Sequence, residues 1–169
     1  MEIRLSGIVN DSIVDGPGIR LTVFTQGCPH HCPGCHNPQT HDPQGGYIGD
    51  THMILTALAE NPLLDGVTLS GGEPLDQPLA CTQIAEGAKK LGLNVWVYTG
   101  YLWEDIFTKS KPDILRLLTH IDVLIDGTFQ MEQRSLELLF CGSKNQRIID
   151  VKKSLETENI VLWDMENGI

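Results

Sequence analysis

Cys28, Cys32 and Cys35 stand within eight residues of one another, in a stretch of chain that has no means of forming a regular element. Residues 27–49 hold nine glycines and prolines in 23 positions, together with four of the six histidines: His30, His31, His36 and His41. Proline removes amide donors, and glycine is costly to order inside a helix or strand. The segment therefore reads as one long loop, and long ordered loops in compact domains tend to carry function. Any fold for this chain must seat that loop at an edge and build its core from the residues on either side.

Those flanking residues alternate between short apolar runs and amphipathic stretches. Strands are predicted at residues 19–25, 66–69, 95–98, 122–125 and 147–151, with a further short one at 160–163. Helices are predicted at 51–60, with Asp50 or Thr51 as cap, at 77–91 with Gly92 as its stop, and at 103–107 and 113–118. In the 77–91 helix, Leu79, Ile84, Ala88 and Leu91 recur at near-helical spacing. Strands alternating with helices predict an α/β fold of parallel βαβ units, with about five parallel strands. The 169 residues match a single domain spanning the whole chain, with the cysteine loop at about 27–49. That length falls well short of the roughly 250 residues of a closed eightfold barrel.

The formal net charge of −10 makes the chain a poor non-specific binder of nucleic acid or anionic membrane. No run approaches the ~18 apolar residues of a membrane span. The first residues lack a basic region followed by an apolar core, so no secretory leader is expected. Five cysteines, three of them clustered, suit a reducing compartment better than a disulfide scaffold, and a cytoplasmic location is expected.

The spacing C-x3-C-x2-C lets three thiolates on one tight loop converge on a single iron–sulfur cluster, each binding a different iron. A four-iron cluster would then keep one iron open for a substrate or cofactor. Cys81 and Cys141 could supply a fourth ligand, yet both also read as small buried apolar residues. Structural zinc, held by three cysteines and His41, is the competing reading. Four further constellations follow predicted strands or lead into one. Gly71-Gly72-Glu73-Pro74 offers close backbone approach and a fixed negative charge suited to an ammonium group, or else a plain turn capped by Asp76. Thr99 in Tyr98-Thr99-Gly100-Tyr101 could meet a ribose or a carboxylate. Asp126 in Ile125-Asp126-Gly127 could bind hydroxyls or a cation, and Arg147 suits a carboxylate by bidentate pairing. Several of these lie just past the C-terminal ends of predicted parallel strands, the edge that carries active sites in barrels and open sheets alike.

With these residues in place, the chain resembles the radical S-adenosylmethionine (SAM) superfamily. Cys28, Cys32, Cys35 and Gly71-Gly72-Glu73-Pro74 carry the likeness. Val14-Asp15-Gly16-Pro17-Gly18-Ile19-Arg20 and Cys35-His36-Asn37 are similar to the activases of glycyl-radical enzymes. Tyr98-Thr99-Gly100, Ile125-Asp126-Gly127 and Asn145-Gln146-Arg147 look like the branch that activates anaerobic ribonucleoside-triphosphate reductase; the pyruvate formate-lyase branch is the nearest alternative.

The resemblance implies a partial, laterally open (β/α) barrel. It implies a [4Fe–4S] cluster on the three cysteines whose open iron chelates SAM. Glu73 with the backbone of Gly71 and Gly72 is implied for the SAM ammonium, Thr99 and Asp126 for the ribose or a nearby cation, Arg147 for the SAM carboxylate and Asp15 for the partner's glycine loop. No side chain is expected to be catalytic in its own right, because the cofactors carry the chemistry. The implied partners are a glycyl-radical enzyme and a one-electron donor such as flavodoxin. An open barrel edge would also favour a homodimer. Gly34 departs from the superfamily, where an aromatic residue often precedes the third cysteine and packs on adenine.

Overall fold

The computed structural model describes residues 1–108 and 111–164. In chain order the elements are β1 (Glu2–Ser12), β2 (Arg20–Thr25), β3 (Tyr47–Asp50), α1 (Thr51–Glu60), β4 (Gly66–Gly71), α2 (Pro78–Lys90), β5 (Asn94–Tyr98), α3 (Trp103–Thr108), α4 (Pro112–Leu118), β6 (Val123–Asp126), β7 (Arg147–Asp150) and α5 (Val151–Thr157). The strands form one mixed sheet in the order β3-β1-β2-β4-β5-β6-β7. Its middle, β2-β4-β5-β6, is parallel, while β1, β3 and β7 pair antiparallel with their neighbours.

Alternation along the parallel strands sorts the side chains onto two faces. Leu21, Val23, Val67, Leu69, Val95, Val97 and Leu124 point one way, into a core shared with Ile54 and Leu58 of α1, Cys81, Ile84 and Ala88 of α2, and Leu117 of α4. Burying one such aliphatic side chain contributes about 1.5–3 kcal/mol. The opposite face carries Arg20, Thr22, Phe24, Thr68, Ser70, Trp96 and Tyr98, and the loops gather over it. Among the described residues no helix is long and apolar enough to cross a membrane.

Local chemistry accounts for the helix boundaries. The Asp50 carboxylate caps α1 by accepting the His52 amide at 2.7 Å. Helix α2 begins with Pro78 at its first turn and ends in a left-handed Gly92 at φ +77°. There the Gly92 and Leu93 amides donate to the carbonyls of Lys89 and Ala88, a Schellman ending. Its core face differs from the predicted stripe: Ile84 and Ala88 are buried, but Leu79 and Leu91 are about half exposed. Ala80, Cys81 and Ala85 complete the face instead, because small side chains let the helix lie close on the sheet.

Three features depart from the sequence reading. Four strands pair in parallel rather than about five. Arg147–Asp150, counted with the parallel set, runs antiparallel to β6. The connection from residue 127 to 146 contains one short 3-10 turn and no crossover helix, so the chain re-enters the sheet from the edge it left. Residues 160–163 contribute a single bridge, Leu162 to Ile149, rather than a strand. The tail of the long loop, Tyr47–Asp50, is a strand because β1, absent from the prediction, pairs with it.

Candidate functional site

The cysteine loop leaves the C-terminal end of β2 and is tied off at its base. The Gly27 amide donates to the Thr40 carbonyl at 2.8 Å, and the Cys28 amide to the His41 carbonyl at 3.2 Å. Gln26 reaches underneath, its Nε2 donating to the carbonyls of Gln39 and Asp42. Inside the loop the Cys35 amide closes a turn on the Cys32 carbonyl at 3.1 Å. All three thiols are free and partly buried.

Backbone donors face the sulfurs. The Asn37 amide lies 3.4 Å from Cys35 Sγ. Amides of His30 and His31 act on Cys28, and that of Phe129 acts on Cys32, opposing the burial that pushes both thiols up. Such N–H groups stabilise sulfur-bound iron and tune its potential. The donor set thus fits an iron–sulfur cluster. Among the described residues no three His, Cys, Asp or Glu side chains close on one point as a chelate for a single ion.

The glycine pair lies directly beside the loop's first turn. The Gly72 amide donates to the Thr25 carbonyl, and the Glu73 amide to the Gly27 carbonyl, both at 2.8 Å, extending the β2–β4 pairing past the strands. Gly71 has φ +92°, and a Cβ there would stand 2.6 Å from Phe24 Cα. The close approach that two glycines permit is thus made by the chain's own loop stem.

Glu73 is fully buried, and its carboxylate is enclosed by donors. Oε1 accepts the Leu75 amide at 2.9 Å; the Thr99 hydroxyl bridges both oxygens at 2.9 and 3.0 Å; Oε2 accepts the Gly100 amide at 2.9 Å. His30 Nε2 lies 2.8 Å from Oε2. Glu73 and Thr99, two of the sequence candidates, therefore meet each other. Asp76 is not the cap of α2; it accepts the Tyr101 hydroxyl at 3.0 Å.

Asp126 and Arg147 form a second centre. Asp126 is fully buried and accepts the Trp103 amide at 2.9 Å, Arg147 Nε at 3.0 Å and Arg147 Nη2. Arg147 also pairs bidentately with Glu104 at 3.0 and 2.8 Å, which holds that carboxyl at about 2. Asp15 lies on the loop-covered face, its carboxylate accepting the hydroxyls of Ser12 and Thr22.

A cavity of about 600 Å³ runs along that face, within the range of small-molecule sites. Asp15, Phe24, Cys35, Ser70, Tyr98, Phe129 and Cys141 are among its walls. Cys141, left open by the sequence, thus faces the same space as Cys35; burial pushes its thiol up to about 11. Cys81 sits fully buried in the helix-side core, and that burial pushes its thiol up to about 12. Phe129 and His30 were not singled out by sequence reasoning. Phe129 and Met131 fill the space a side chain at residue 34 would take.

These features define an iron–sulfur protein of the single-cluster kind, and the family model of the 4Fe-4S single cluster domain matches residues 14–149. Similar relatives carry the name anaerobic ribonucleoside-triphosphate reductase-activating protein, three of them as follows. The one from Haemophilus influenzae is 34% identical over 145 residues, covering 80% of this chain and 90% of the relative. That from Escherichia coli K12 is 33% identical over 143 residues, covering 79% and 90%. That of Enterobacteria phage T4 is 32% identical over 142 residues, covering 80% and 86%. The chain belongs to this family of 4Fe–4S activating proteins.

Proposed function

We propose that the protein installs a glycyl radical on an anaerobic ribonucleoside-triphosphate reductase by reductive cleavage of SAM. The carrying observation is the loop itself: three free thiols, faced by backbone donors, at the C-terminal edge of four parallel strands and beside a cavity of small-molecule size. The relatives' shared name supports the same partner.

In this reading Cys28, Cys32 and Cys35 hold the [4Fe–4S] cluster and leave one iron for SAM. When bound and reduced, the cluster would supply the one electron for reductive cleavage of SAM, the chemistry that would let a hydrogen atom be taken from a glycine Cα of the reductase. The protein's residues bind, orient and exclude water. Gly71, Gly72 and Glu73 frame the amino end of SAM. With every oxygen of Glu73 occupied, its part is to hold the Thr99–Gly100 backbone from below. Asp126, held by Arg147, frames the ribose side in the same manner. Asp15, on the wall of the cavity, is assigned to the partner's glycine loop. The sequential order of β2, β4, β5 and β6, with α1, α2 and α4 on one face, supports a part-barrel open at the side. A cytoplasmic setting and an external one-electron donor such as flavodoxin complete the reading.

The test is anaerobic reconstitution with iron and sulfide, then electron paramagnetic resonance with and without SAM. A reduced four-iron signal that changes shape with SAM is expected, followed by a glycyl radical when the reductase is added. Cys81→Ala and Cys141→Ala should keep the cluster, whereas alanine at Cys28, Cys32 or Cys35 should abolish it. A cluster indifferent to SAM, or one lost with Cys141, refutes the assignment.

A further inference from the structure

We propose that His30 is a latch: its side chain locks the cysteine loop onto the ends of β4 and β5, and so fixes the spacing of Cys28 and Cys32. The inference rests on the cluster reading above and adds a positioning residue that the thiols alone do not reveal.

His30 stands midway between the first two cysteines, yet its Nε2 is engaged by Glu73. It is only 13% exposed, and its Nε2 lies 2.8 Å from Glu73 Oε2. An ionised carboxylate only accepts, so with Glu73 as carboxylate the Nε2 carries the proton. The bond joins two parts of the chain 43 residues apart, and Glu73 in turn holds Thr99 and Gly100. Three strand-end segments thus meet at one buried carboxylate.

Packing reinforces the bond. The His30 ring meets Tyr101 edge-on, with centroids 4.6 Å apart. Residue 100 must be glycine for the ring to fit, since a Cβ there would come 2.6 Å from His30 Nε2 and closer still to its ring carbon. The next residue, His31, is left-handed at φ +46°, a region that histidine enters more readily than most residues. That turn sends His31 to the other side of the loop, where it meets His41 at 5.0 Å. The two neighbouring histidines are therefore not equivalent, and only His30 touches the strand ends.

A latch and a cluster ligand predict different variants. His30→Ala removes both bond and packing. His30→Gln keeps an N–H donor at similar reach but is no substitute for imidazole as a ligand. Gly100→Ala pushes the ring out without altering either partner. Two readouts apply: hydrogen exchange at the Cys35 amide and at the amide of residue 100 (read against its own unprotected rate in each variant) of the full-length protein before reconstitution, and anaerobic iron release to a chelator after it. Removing a hydrogen bond to a buried charge should speed loop opening by roughly tenfold or more. His30→Ala and Gly100→Ala should then exchange and release iron at least that much faster, with His30→Gln near wild type and its reduced-cluster spectrum unchanged. If His30→Ala matches wild type in both readouts, the latch is wrong. It is also wrong if His30→Gln fails like alanine and shifts the cluster's spectrum, which marks a ligand. A wild-type protein that takes up no four-iron cluster overturns the cluster reading, and with it the latch's purpose.

Discussion

Four glycines separate two costs that are commonly merged, and together they measure how tightly the cysteine loop is clamped to the sheet. Gly7 has an ordinary φ, and a Cβ added there would meet nothing within 4 Å; Gly92 has open space but φ +77°. Gly72 has an ordinary φ but would drive its Cβ against the Gly27 carbonyl, inside contact of the oxygen and 3.0 Å from the carbon. Gly71 carries both burdens, with φ +92° and contacts of 2.6–2.8 Å to the backbone of Phe24 and Thr25. Gly7→Ala should be neutral or stabilise by about 0.5 kcal/mol through the unfolded chain. Gly92→Ala should cost about 1 kcal/mol in backbone strain. For Gly72→Ala the obstacle is backbone, which cannot swing aside as a flexible side chain can. Gly27 must withdraw, at about 1–3 kcal/mol for overpacking. Its carbonyl then loses the Glu73 amide at 2.8 Å, for about 1 kcal/mol more. The sum is about 2–4 kcal/mol, or a melting-temperature drop of roughly 5–15 °C for a chain of this size. Gly71→Ala should exceed it. Urea unfolding of the cluster-free protein, with unchanged slope as the check on two-state behaviour, reads these values directly. Should Gly72→Ala prove no worse than Gly92→Ala, the loop stem does not press on the glycine pair and the account of that motif fails.

Other outcomes follow from the same geometry. Arg147→Met leaves the buried Asp126 carboxylate, among the described residues, with only the Trp103 amide, and should destabilise by about 3–5 kcal/mol in urea; a loss under about 1 kcal/mol contradicts the pairing. The Glu104 carboxyl, held at about 2 against an ordinary 4.5, contributes stability above 4.5 that is lost as pH falls toward 2, because the unfolded chain binds the proton first. Glu104 is largely exposed, so the effect is small and should shrink in salt; Glu104→Gln should flatten the acid limb of stability in that window. Leu69→Ala opens a cavity among strands and helices at 0% exposure and should cost about 2–5 kcal/mol, with iron uptake by the remaining folded protein unchanged.

Much of this molecule was legible without coordinates. Helix α1 shows its Asp50 cap, α2 its Gly92 stop, and β2, β4, β5 and β6 their apolar runs, because capping, left-handed glycine and strand burial are local effects. The direction of β7 was not legible: its apolar Ile148 and Ile149 suit either pairing, and the missing crossover decides. Nor was β3, whose residues show no alternation of burial and which exists because β1 supplies partners. At the site, the C-x3-C-x2-C spacing named the cysteines. It could not tell His30 from the three other loop histidines, because that difference lies in Glu73, 43 residues away.

The sequence by itself determined which residues could hold a cluster and that parallel strands would present them at one edge, since spacing and periodicity act over a few residues. Only the tertiary structure decided which polar side chains stay open to a ligand. Glu73, Thr99, Asp126 and Arg147 all carry suitable chemistry, yet each is met by groups from distant segments. A buried charge must be matched by donors wherever the fold brings them, and no local pattern records that match.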